Sequence, residues 1–566
     1  MSELMGDFLN ELRAQVENRT ITRPSRWAEK RRVMGPPYEG PYQFKTHPWC
    51  RGLHDSKATW NVSMKSAQAG FTEVGINLAL YTIDVLKRNV LYVLPTMGDA
   101  SDFSKSRFNA ALRLSPYLKR LFTDANNVGL KMAGNTSLYI RGSRGDANLK
   151  SIPVSVLILD ELDEMDQSQI ELALQRLRGQ PTKTVWYIST PTIPGHGVSL
   201  EYNKTTQEHF RFKCPGCNKM DEFSFPKSLK ICGEDMNDPD CYKSYYQCTM
   251  CGYKYNHFTD DIGVVQQPDK MITLCNTGIW DPTVKNTDPD RRGFKINQLY
   301  SATVSPAEIV IDYFKSLTNS FAKQEFHKSI LGEPFVGEQS QVTDEMIAKC
   351  IKQYSTGQLV PQPRENRMIT MGIDRGTWCN YVVCEWFYPE FCIDLNTAAE
   401  CRVLDAGAFH EEDFEVYPDR LMHQWQVRAC MVDMDPGPQE ARRFARRFPG
   451  HVWLNRYRQG RSGKEMTIDD DGSYAPVATV DRTNWLDVCL GRFFSGRIEL
   501  PYDLPRGFGE HVKALVRTYE EDNVGNPIAV YKNYGPDHYG HALNYAEMAL
   551  PCAAAITTNQ NIKKFL

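Results

Sequence analysis

The sequence lacks any apolar run that approaches the ~20 residues of a membrane-spanning helix, which argues against an integral membrane protein. It also lacks an excess of charge of one sign: 66 Lys and Arg face 69 Asp and Glu, for a net charge of −3. A large static grip on DNA is therefore not expected, and any contact with nucleic acid is local or transient. The first residues, MSELMGDFLNELRAQVEN, mix both charges, and we expect no signal peptide.

With 566 residues, of which 41% are apolar and 24% charged, the chain has the composition of a globular protein with several domains. Its 16 cysteines are too few for a disulfide scaffold, so reduced thiols and a cytosolic setting are expected. Two CxxC pairs, Cys214–Cys217 and Cys248–Cys251, predict a structural Cys₄ zinc site, with four free thiols as the alternative. Cys232 and Cys241 can compete as ligands but lack the paired spacing.

The stretch Val156-Leu-Ile-Leu-Asp-Glu161 runs four apolar residues into two carboxylates. A short apolar run without alternation predicts a strand buried on both faces, and its C-terminal end is where open α/β sheets bind ligands. The pattern is typical of a Walker B strand, in which Asp160 holds Mg²⁺ and Glu161 polarises the water that attacks the γ-phosphate of ATP. The alternative is a core strand that ends on two solvated acids.

A second phosphate signal, Lys65-Ser-Ala-Gln-Ala-Gly-Phe-Thr72, lies between a predicted strand and a predicted helix. Such a loop can cradle phosphates with backbone N–H groups, and Thr72 is placed to bind Mg²⁺. The standard loop has lysine just before this Thr, where the chain has Phe71, and its lysine stands at the opening instead. An ordinary strand–helix turn is the alternative.

Three acids lie on well-separated elements of the C-terminal half. Asp374 and Asp433 each end an apolar stretch, and Asp537 precedes a predicted helix. Such acids can converge on two Mg²⁺ ions that hydrolyse a phosphodiester, and Mn²⁺ can substitute. Asp435, two residues beyond Asp433, competes for its role.

The ordered set of motifs resembles the large terminase subunit of tailed bacteriophages, in its lambda-type branch. Trp27-Ala-Glu-Lys30, Gly40-Pro-Tyr42 and Thr46-x-Pro48 resemble the family's N-terminal signature. The family's deviant phosphate loop begins with its lysine, as Lys65–Thr72 does, and Leu94-Pro-Thr96 resembles the next block. The resemblance covers nearly the whole chain.

By resemblance, Lys65 contacts the β- and γ-phosphates, while Gln68 and Gly70 shape the loop. Ser189 and Thr190 resemble the coupling motif whose hydroxyls sense the γ-phosphate. The implied ATP-binding residues are Lys65, Ser66, Ala67, Gln68, Ala69, Gly70, Phe71, Thr72 and Asp160, with Glu161 as the catalytic residue.

In the other half, the resemblance implies that Asp374, Asp433 and Asp537 are catalytic and bind the nuclease metal. Many relatives carry a further acid where this chain has His541. His538 or His541 can compensate as a ligand or an acid–base group, or can hydrogen-bond at the start of the helix.

The implied fold class is α/β: a P-loop, RecA/ASCE-like ATPase domain with a mainly parallel sheet, followed by an RNase H-like nuclease domain. The predicted segments are the ATPase domain with its helical lead-in at 1–335, a zinc-ribbon insert at 209–258 within it, a linker at 336–366, the endonuclease domain at 367–551 and a C-terminal tail at 552–566.

The implied function is ATP-driven translocation of double-stranded DNA into a procapsid, with a metal-dependent endonuclease that cuts concatemers into genome lengths. The implied partners are the small terminase subunit, the procapsid portal and further copies in a ring, without a membrane. The implied location is the host cytoplasm and transiently the portal, not the mature virion.

Two other interpretations of the sequence are possible. A helicase or restriction-type nuclease predicts a second RecA-like domain between residues 200 and 360, where the sequence has a zinc insert and a linker. A non-catalytic zinc-ribbon protein that binds DNA leaves Lys65 and the carboxylates unexplained.

Overall fold

Internal contacts divide the chain into two units, Met1–Phe335 and Val336–Leu566. The computed structural model describes residues 21–122, 127–144, 149, 153–256, 258–259, 265–266, 268–285, 288–337, 340–358, 367–387, 395–458, 466–470, 475–522 and 526–558. The beginning of the predicted lead-in, parts of the predicted linker and the end of the predicted tail lie outside these residues.

The strands of the first unit are β1 (Val33–Met34), β2 (Gly40–Pro41), β3 (Trp60–Lys65), β4 (Val90–Leu94), β5 (Leu130–Ala133), β6 (Thr136–Gly142), β7 (Val156–Asp160), β8 (Thr184–Ser189), β9 (Glu208–Lys213), β10 (Met220–Asp221), β11 (Leu229–Lys230), β12 (Tyr245–Gln247), β13 (Lys254–Tyr255), β14 (Phe258–Thr259), β15 (Val265–Gln266), β16 (Ile279–Pro282) and β17 (Arg291–Ile296).

Its helices are α1 (Pro24–Arg31), α2 (Trp49–His54), α3 (Phe71–Tyr81), α4 (Met97–Phe103), α5 (Asn109–Leu114), α6 (Pro116–Leu121), α7 (Gln167–Leu174), α8 (Gly197–Tyr202), α9 (Pro268–Thr277), α10 (Pro306–Ser316) and α11 (Ser320–Glu325). Shorter helical turns include the π-helical segments Thr82–Leu86, Ser104–Phe108 and Phe326–Leu331.

A ten-stranded sheet in the order β10-β9-β17-β3-β8-β7-β4-β6-β5, with β16 paired to β9, forms the centre of the first unit. The strands from β9 to β6 run parallel, and β10, β16 and β5 are antiparallel edges. Alternate residues of β4 and β7 enter hydrophobic clusters on opposite faces, so both strands are covered on both sides. This burial explains their unbroken apolar sequences.

The chain between β9 and β16 carries the two CxxC pairs and the three-stranded sheet β11-β12-β13. The predicted insert at 209–258 begins inside β9, which is a strand of the main sheet. Among the described residues between 200 and 360, the strands β9, β16 and β17 thus join the ten-stranded sheet. These residues do not build a second parallel sheet of the kind that a second RecA-like domain would need.

The strands of the second unit are β18 (Arg367–Asp374), β19 (Trp378–Phe387), β20 (Glu400–His410), β21 (Ala429–Asp433), β22 (Val452–Tyr457), β23 (Met466–Asp470), β24 (Pro476–Val480), β25 (Ile498–Glu499), β26 (Leu515–Glu521) and β27 (Pro527–Asn533). Its helices are α12 (Asp344–Cys350), α13 (Leu395–Ala398), α14 (Tyr417–Gln424), α15 (Pro438–Arg447), α16 (Arg482–Ser495), α17 (Phe508–Lys513) and α18 (His538–Thr558).

Eight strands form the sheet of this unit in the order β23-β24-β22-β21-β18-β19-β20-β25. The neighbours β18, β21, β22 and β24 run parallel, whereas β19 is antiparallel to both β18 and β20. Hydrophobic clusters cover both faces, one of them built with α16 and α18. The mixed sheets confirm the predicted α/β class.

Helix α18 lies directly on β18 because Gly372 leaves room for its backbone. A Cβ atom at Gly372 would stand 2.0 Å from the carbonyl oxygen of Ala542. Beside it, Thr370 Oγ1 donates to the carbonyl oxygen of Ala546 at 2.7 Å. These contacts fix the start of α18 next to the end of β18.

Helices occupy parts of the predicted linker and of the predicted C-terminal tail. Helix α12 lies inside the predicted linker, and α18 continues through the first residues of the predicted tail. Among the described residues, none of the helices combines the length and apolar character that a membrane crossing requires.

Candidate functional site

The phosphate-type loop joins β3 to α3, and two of its residues adopt left-handed backbone conformations. Gln68 has φ 57° and Gly70, the N-cap of α3, has φ 81°. Side chains from elsewhere hold the carbonyl groups of the loop: Trp49 Nε1 donates to Ala69 O at 2.8 Å and Gln298 Nε2 to Ala67 O at 3.3 Å. With its carbonyls bound on one side, the loop can present N–H groups of the first turn of α3 to an anion.

Lys65 is buried at the opening of this loop and points across the sheet edge. Its Nζ lies 3.1 Å from Glu161 Oε1 and 3.4 Å from Thr190 Oγ1. The ends of β3, β7 and β8 therefore meet at one cation. Glu161 has a left-handed φ of 61°, a conformation that is costly for this residue and that is concentrated at functional sites.

Asp160 is fully buried at the end of β7. Tyr92 donates a 2.6 Å hydrogen bond to its Oδ2, whereas Oδ1 accepts none of normal geometry from the described residues. Burial and the neighbouring Glu161 raise the pKa of Asp160 to about 6, although Lys65 and Thr72 oppose this shift. A buried carboxylate with a threonine hydroxyl beside it offers two oxygen ligands of the kind that hard divalent cations bind.

The segment after β8 is bonded to the turn after β7. Asp163 accepts hydrogen bonds from both N and Oγ1 of Thr192 at 2.8 Å, and its own N donates to Ser189 Oγ at 3.2 Å. Burial raises the pKa of Asp163 to about 6. Thr192 O in turn accepts from Phe335 N at 3.0 Å, where the chain leaves the first unit. Ser189 thus contacts Asp163, and Thr190 is linked to Glu161 through Lys65. Both hydroxyl residues belong to one network with the acidic residues that follow β7.

Gly332 lies against the backbone of the phosphate-type loop. It has φ +61°, and a Cβ atom there would stand 2.8 Å from Ser66 N, 2.8 Å from Ile296 O and 3.0 Å from the carbonyl carbon of Lys65. Ala67 N also donates to Ser329 O at 2.8 Å. The last turn of the first unit is therefore in main-chain contact with the loop.

Phe71, which occupies the usual lysine position of such a loop, is a core residue. Its ring is 1% exposed within a hydrophobic cluster. Its role is to pack α3 against the sheet, so the loop depends on Lys65 for positive charge.

The four cysteines of the CxxC pairs form one cluster, in which all sulfur atoms lie within 4.8 Å of one another. Cys214 and Cys251 are 3.7 Å apart, and Cys217 and Cys248 are 3.9 Å apart. Tetrahedral Zn²⁺ with bonds of about 2.3 Å requires sulfur–sulfur distances of about 3.8 Å. The cluster excludes Cys232 and Cys241.

Three elements of the second unit bring its acids to one edge of the sheet. Asp374 ends β18, Asp433 ends the neighbouring β21, and Asp537 directly precedes α18. His538 Nδ1 lies 2.8 Å from Asp374 Oδ2, and this bond raises the pKa of His538. The first turn of the helix is thereby tied to the end of the central strand.

Asp433 and Asp435 differ in environment. Asp433 remains in the strand and accepts a 3.2 Å hydrogen bond from the N–H of Asp435, which is itself exposed beyond the strand. Burial, followed by the charge of Asp374, raises the pKa of Asp433 to about 7. Proximity to a second carboxylate and desolvation are features of a cation site.

His541 is engaged by protein groups through both ring nitrogens. Nε2 lies 3.2 Å from Asp537 Oδ2 and 3.2 Å from Arg482 Nη2, and Nδ1 lies 3.1 Å from the hydroxyl of Tyr457. Burial opposes ionisation of Asp537, but the hydrogen bond and charge of His541 and the charge of Arg482 prevail and lower its pKa. His541 therefore orients Asp537 and, together with Arg482, favours its ionised form.

The carboxylates of the second unit are less tightly gathered than the cysteines. Within the ranges that the structure describes, the cysteine cluster alone brings three or more ligand atoms within 4.8 Å of each other. Asp374 and Asp433 interact electrostatically, and Asp537 is linked to them through the histidines of α18.

Several residues at these sites were not foreseen in the sequence. They are Tyr92 at Asp160, Gln298 at the loop, and Tyr457 and Arg482 at His541. Each belongs to another strand, turn or helix start, and sequence spacing gives no signal for such contacts.

Two family models match the chain. The model described as "Phage terminase large subunit gpA, ATPase domain" matches residues 37–266, and "Terminase large subunit gpA, endonuclease domain" matches residues 291–468. The chain is 24% identical to the terminase large subunit of Escherichia phage lambda over 386 residues, which are 62% of this chain and 58% of the relative.

The terminase large subunit of Enterobacteria phage P21 is 26% identical over 353 residues, 55% of this chain and 53% of the relative. The chain thus spans little more than half the length of these curated relatives. The crystal structure of the HK97 bacteriophage large terminase is 10% identical, with a TM-score of 0.42, and the match covers 93% of this chain and 98% of that one. The two family models together cover most of the chain, which belongs to the gpA family of phage terminase large subunits.

Proposed function

We propose that this chain is a DNA-packaging motor subunit, in which ATP hydrolysis drives double-stranded DNA into a procapsid and an endonuclease cuts the DNA to genome length. The observation that carries the proposal is that each unit has carboxylates at the C-terminal ends of doubly buried parallel strands. In the first unit they face a buried lysine, and in the second they face the start of a helix.

In the ATPase site, Lys65 binds the β- and γ-phosphates while the loop residues Ser66 to Thr72 surround them. Thr72 and Asp160 would hold Mg²⁺, which would neutralise charge on the phosphates. Glu161 orients the attacking water, and its contact with Lys65 is exchanged for one with substrate when ATP binds. Thr190, in reach of Lys65, senses that exchange together with Ser189.

In the nuclease site, Asp374, Asp433 and Asp537 would hold divalent metal, Mg²⁺ or Mn²⁺, which would supply activation of water and stabilisation of the leaving oxygen of a phosphodiester. His538 orients Asp374, and His541 orients Asp537. The engagement of both nitrogens of His541 supports a positioning role over direct metal binding. The cysteine cluster holds structural Zn²⁺, because four thiolates leave no open position for catalysis.

Membership of the terminase family supports the remaining partners. They are the small terminase subunit, the portal of the procapsid and further copies of this chain in a ring. The protein acts in the host cytoplasm and on the portal only during packaging.

Replacing Lys65 with alanine should reduce ATP turnover to background, because the loop then has no other cation for the phosphates. ATP should also no longer raise the melting temperature; at 100 times Kd, binding stabilises wild type by about 2.7 kcal/mol. The exposed Lys119 provides the matched control, Lys119→Ala. Phe71→Ala is unsuitable, since emptying a core phenylalanine site costs about 3–5 kcal/mol. Wild-type turnover by Lys65→Ala would contradict the assignment.

Supercoiled plasmid incubated with the full chain and Mg²⁺ or Mn²⁺ should be cut by wild type and not by Asp374→Asn. Asp435→Asn should cut like wild type, because Asp435 is exposed beyond the strand. Gel electrophoresis of the plasmid measures both. Equal cutting by Asp374→Asn would place the nuclease site elsewhere.

Affinity of the nuclease site for Mn²⁺ should rise between pH 6 and pH 8. Asp433 keeps its proton up to about pH 7, and a cation must displace it, so each pH unit below 7 weakens binding by up to about tenfold. Isothermal titration calorimetry in buffers of different ionisation enthalpy measures the released proton. Asp433→Asn should abolish the release, and an affinity independent of pH would contradict the role given to Asp433.

Purified protein should contain about one zinc ion per chain by elemental analysis. Cys248→Ser should lose the metal and melt at a lower temperature, since structural zinc contributes folding energy. Cys232→Ser, which changes a cysteine outside the cluster, should keep both. Zinc retained by Cys248→Ser would refute the ligand set.

A further inference from the structure

We propose that Asn455 is an additional ligand of the nuclease metal site and supplies its amide oxygen to the cation held by Asp433. The proposal rests on the nuclease function proposed above. Asn455 is 1% exposed, and neither its Nδ2 nor its Oδ1 has a hydrogen-bond partner in the part of the chain that the structure describes.

Asn455 lies beside Asp433 on the neighbouring strand. Strands β21 and β22 are parallel, and their register pairs Asp433 with Asn455, while Met434 N donates to Asn455 O at 3.2 Å. Register partners of adjacent strands project from the same face and are about 5 Å apart. The amide of Asn455 therefore lies next to the carboxylate of Asp433.

This face of the sheet is the one that carries the other nuclease residues. Trp453, two residues before Asn455, packs in the cluster built with α18, as does Met431, two residues before Asp433. Tyr457, two residues after Asn455, contacts His541 of α18. Asn455 thus lies between the acid of β21 and the tyrosine that supports the start of the helix.

An amide buried without partners is costly. A buried donor or acceptor that stays unpaired costs about 1–3 kcal/mol, and most such groups in native proteins are bonded. An apolar residue at this position would avoid the cost, so the amide requires a partner that joins the site. Amide oxygens are ligands of hard divalent cations, and the adjoining carboxylates supply the charge.

The test uses the full-length chain without nucleotide. Mn²⁺ binding is measured by calorimetry for wild type and for Asp374→Asn. The binding that wild type shows and Asp374→Asn lacks is the signal of the nuclease site. Asn455→Leu should weaken this signal by about 10–100-fold, as losses of metal-site partners do. Its metal-free melting temperature should equal or exceed that of wild type, because the orphaned amide is gone.

Asn455→Asp retains an oxygen ligand and should bind Mn²⁺ at least as tightly as wild type. Thr518→Val is the matched control, because Thr518 Oγ1 is also buried without a partner among the described residues but lies on β26. It should leave Mn²⁺ binding unchanged. Should Asn455→Leu fail to fold, Asn455→Ala takes its place with the same expected loss.

The outcomes distinguish failure of the role proposed for Asn455 from failure of the proposed nuclease function. Binding of Mn²⁺ by Asn455→Leu with wild-type affinity would overturn the role of Asn455 while the nuclease site stands. Absence of any signal that depends on Asp374 in wild type would overturn both. Loss of the signal in Asn455→Leu together with its retention in Asn455→Asp supports the ligand.

Discussion

Both candidate sites depend on one constraint, the placement of a carboxylate where a strand covered on both faces reaches the edge of its sheet. Along β7 and β21 every preceding side chain is buried, so the strand end is the first point at which a charge can meet a ligand. Desolvation there raises the pKa of Asp160 and of Asp433. A positive partner near such a group gains more than it would in water. Lys65 supplies that charge in the first unit.

The two units use different means to hold a second element against these strand ends. In the first, polar side chains bind the carbonyl groups of the loop from outside, and a phenylalanine anchors the helix that follows. In the second, a glycine lets the helix backbone touch the strand, and His538 completes the contact at Asp374. In both, contacts from a neighbouring element position the site, and such preorganisation limits the reorganisation needed for chemistry.

Local sequence was sufficient to predict the strands that end on acids and the paired cysteines, because each is a short local pattern. The loop that opens with lysine departs from the standard pattern, and only its resemblance to a family motif favoured it over an ordinary turn. Local sequence did not reveal which residues satisfy these groups. Tyr92 reaches Asp160 across 68 positions of sequence, and Tyr457 reaches His541 across 84. Such pairs follow from strand order, which a single sequence does not specify.

The same limit explains the residues whose roles stayed open. The choice between Asp433 and Asp435 depends on where a strand ends, and the role of His541 depends on what surrounds it. The sequence did not single out Asn455. An asparagine inside an apolar strand becomes a candidate ligand only when the structure shows that its amide is buried without a hydrogen-bond partner among the described residues.

The contact of Gly332 with the loop has a mechanical consequence. The turn that ends the first unit touches the loop through main-chain atoms, and Phe335 is bonded to Thr192 in the same way. Side chains can absorb a small displacement by changing rotamer, but two peptide backbones in van der Waals contact cannot. A shift of the loop would therefore be passed to the end of the first unit through main-chain contacts at Ser329, Gly332 and Phe335.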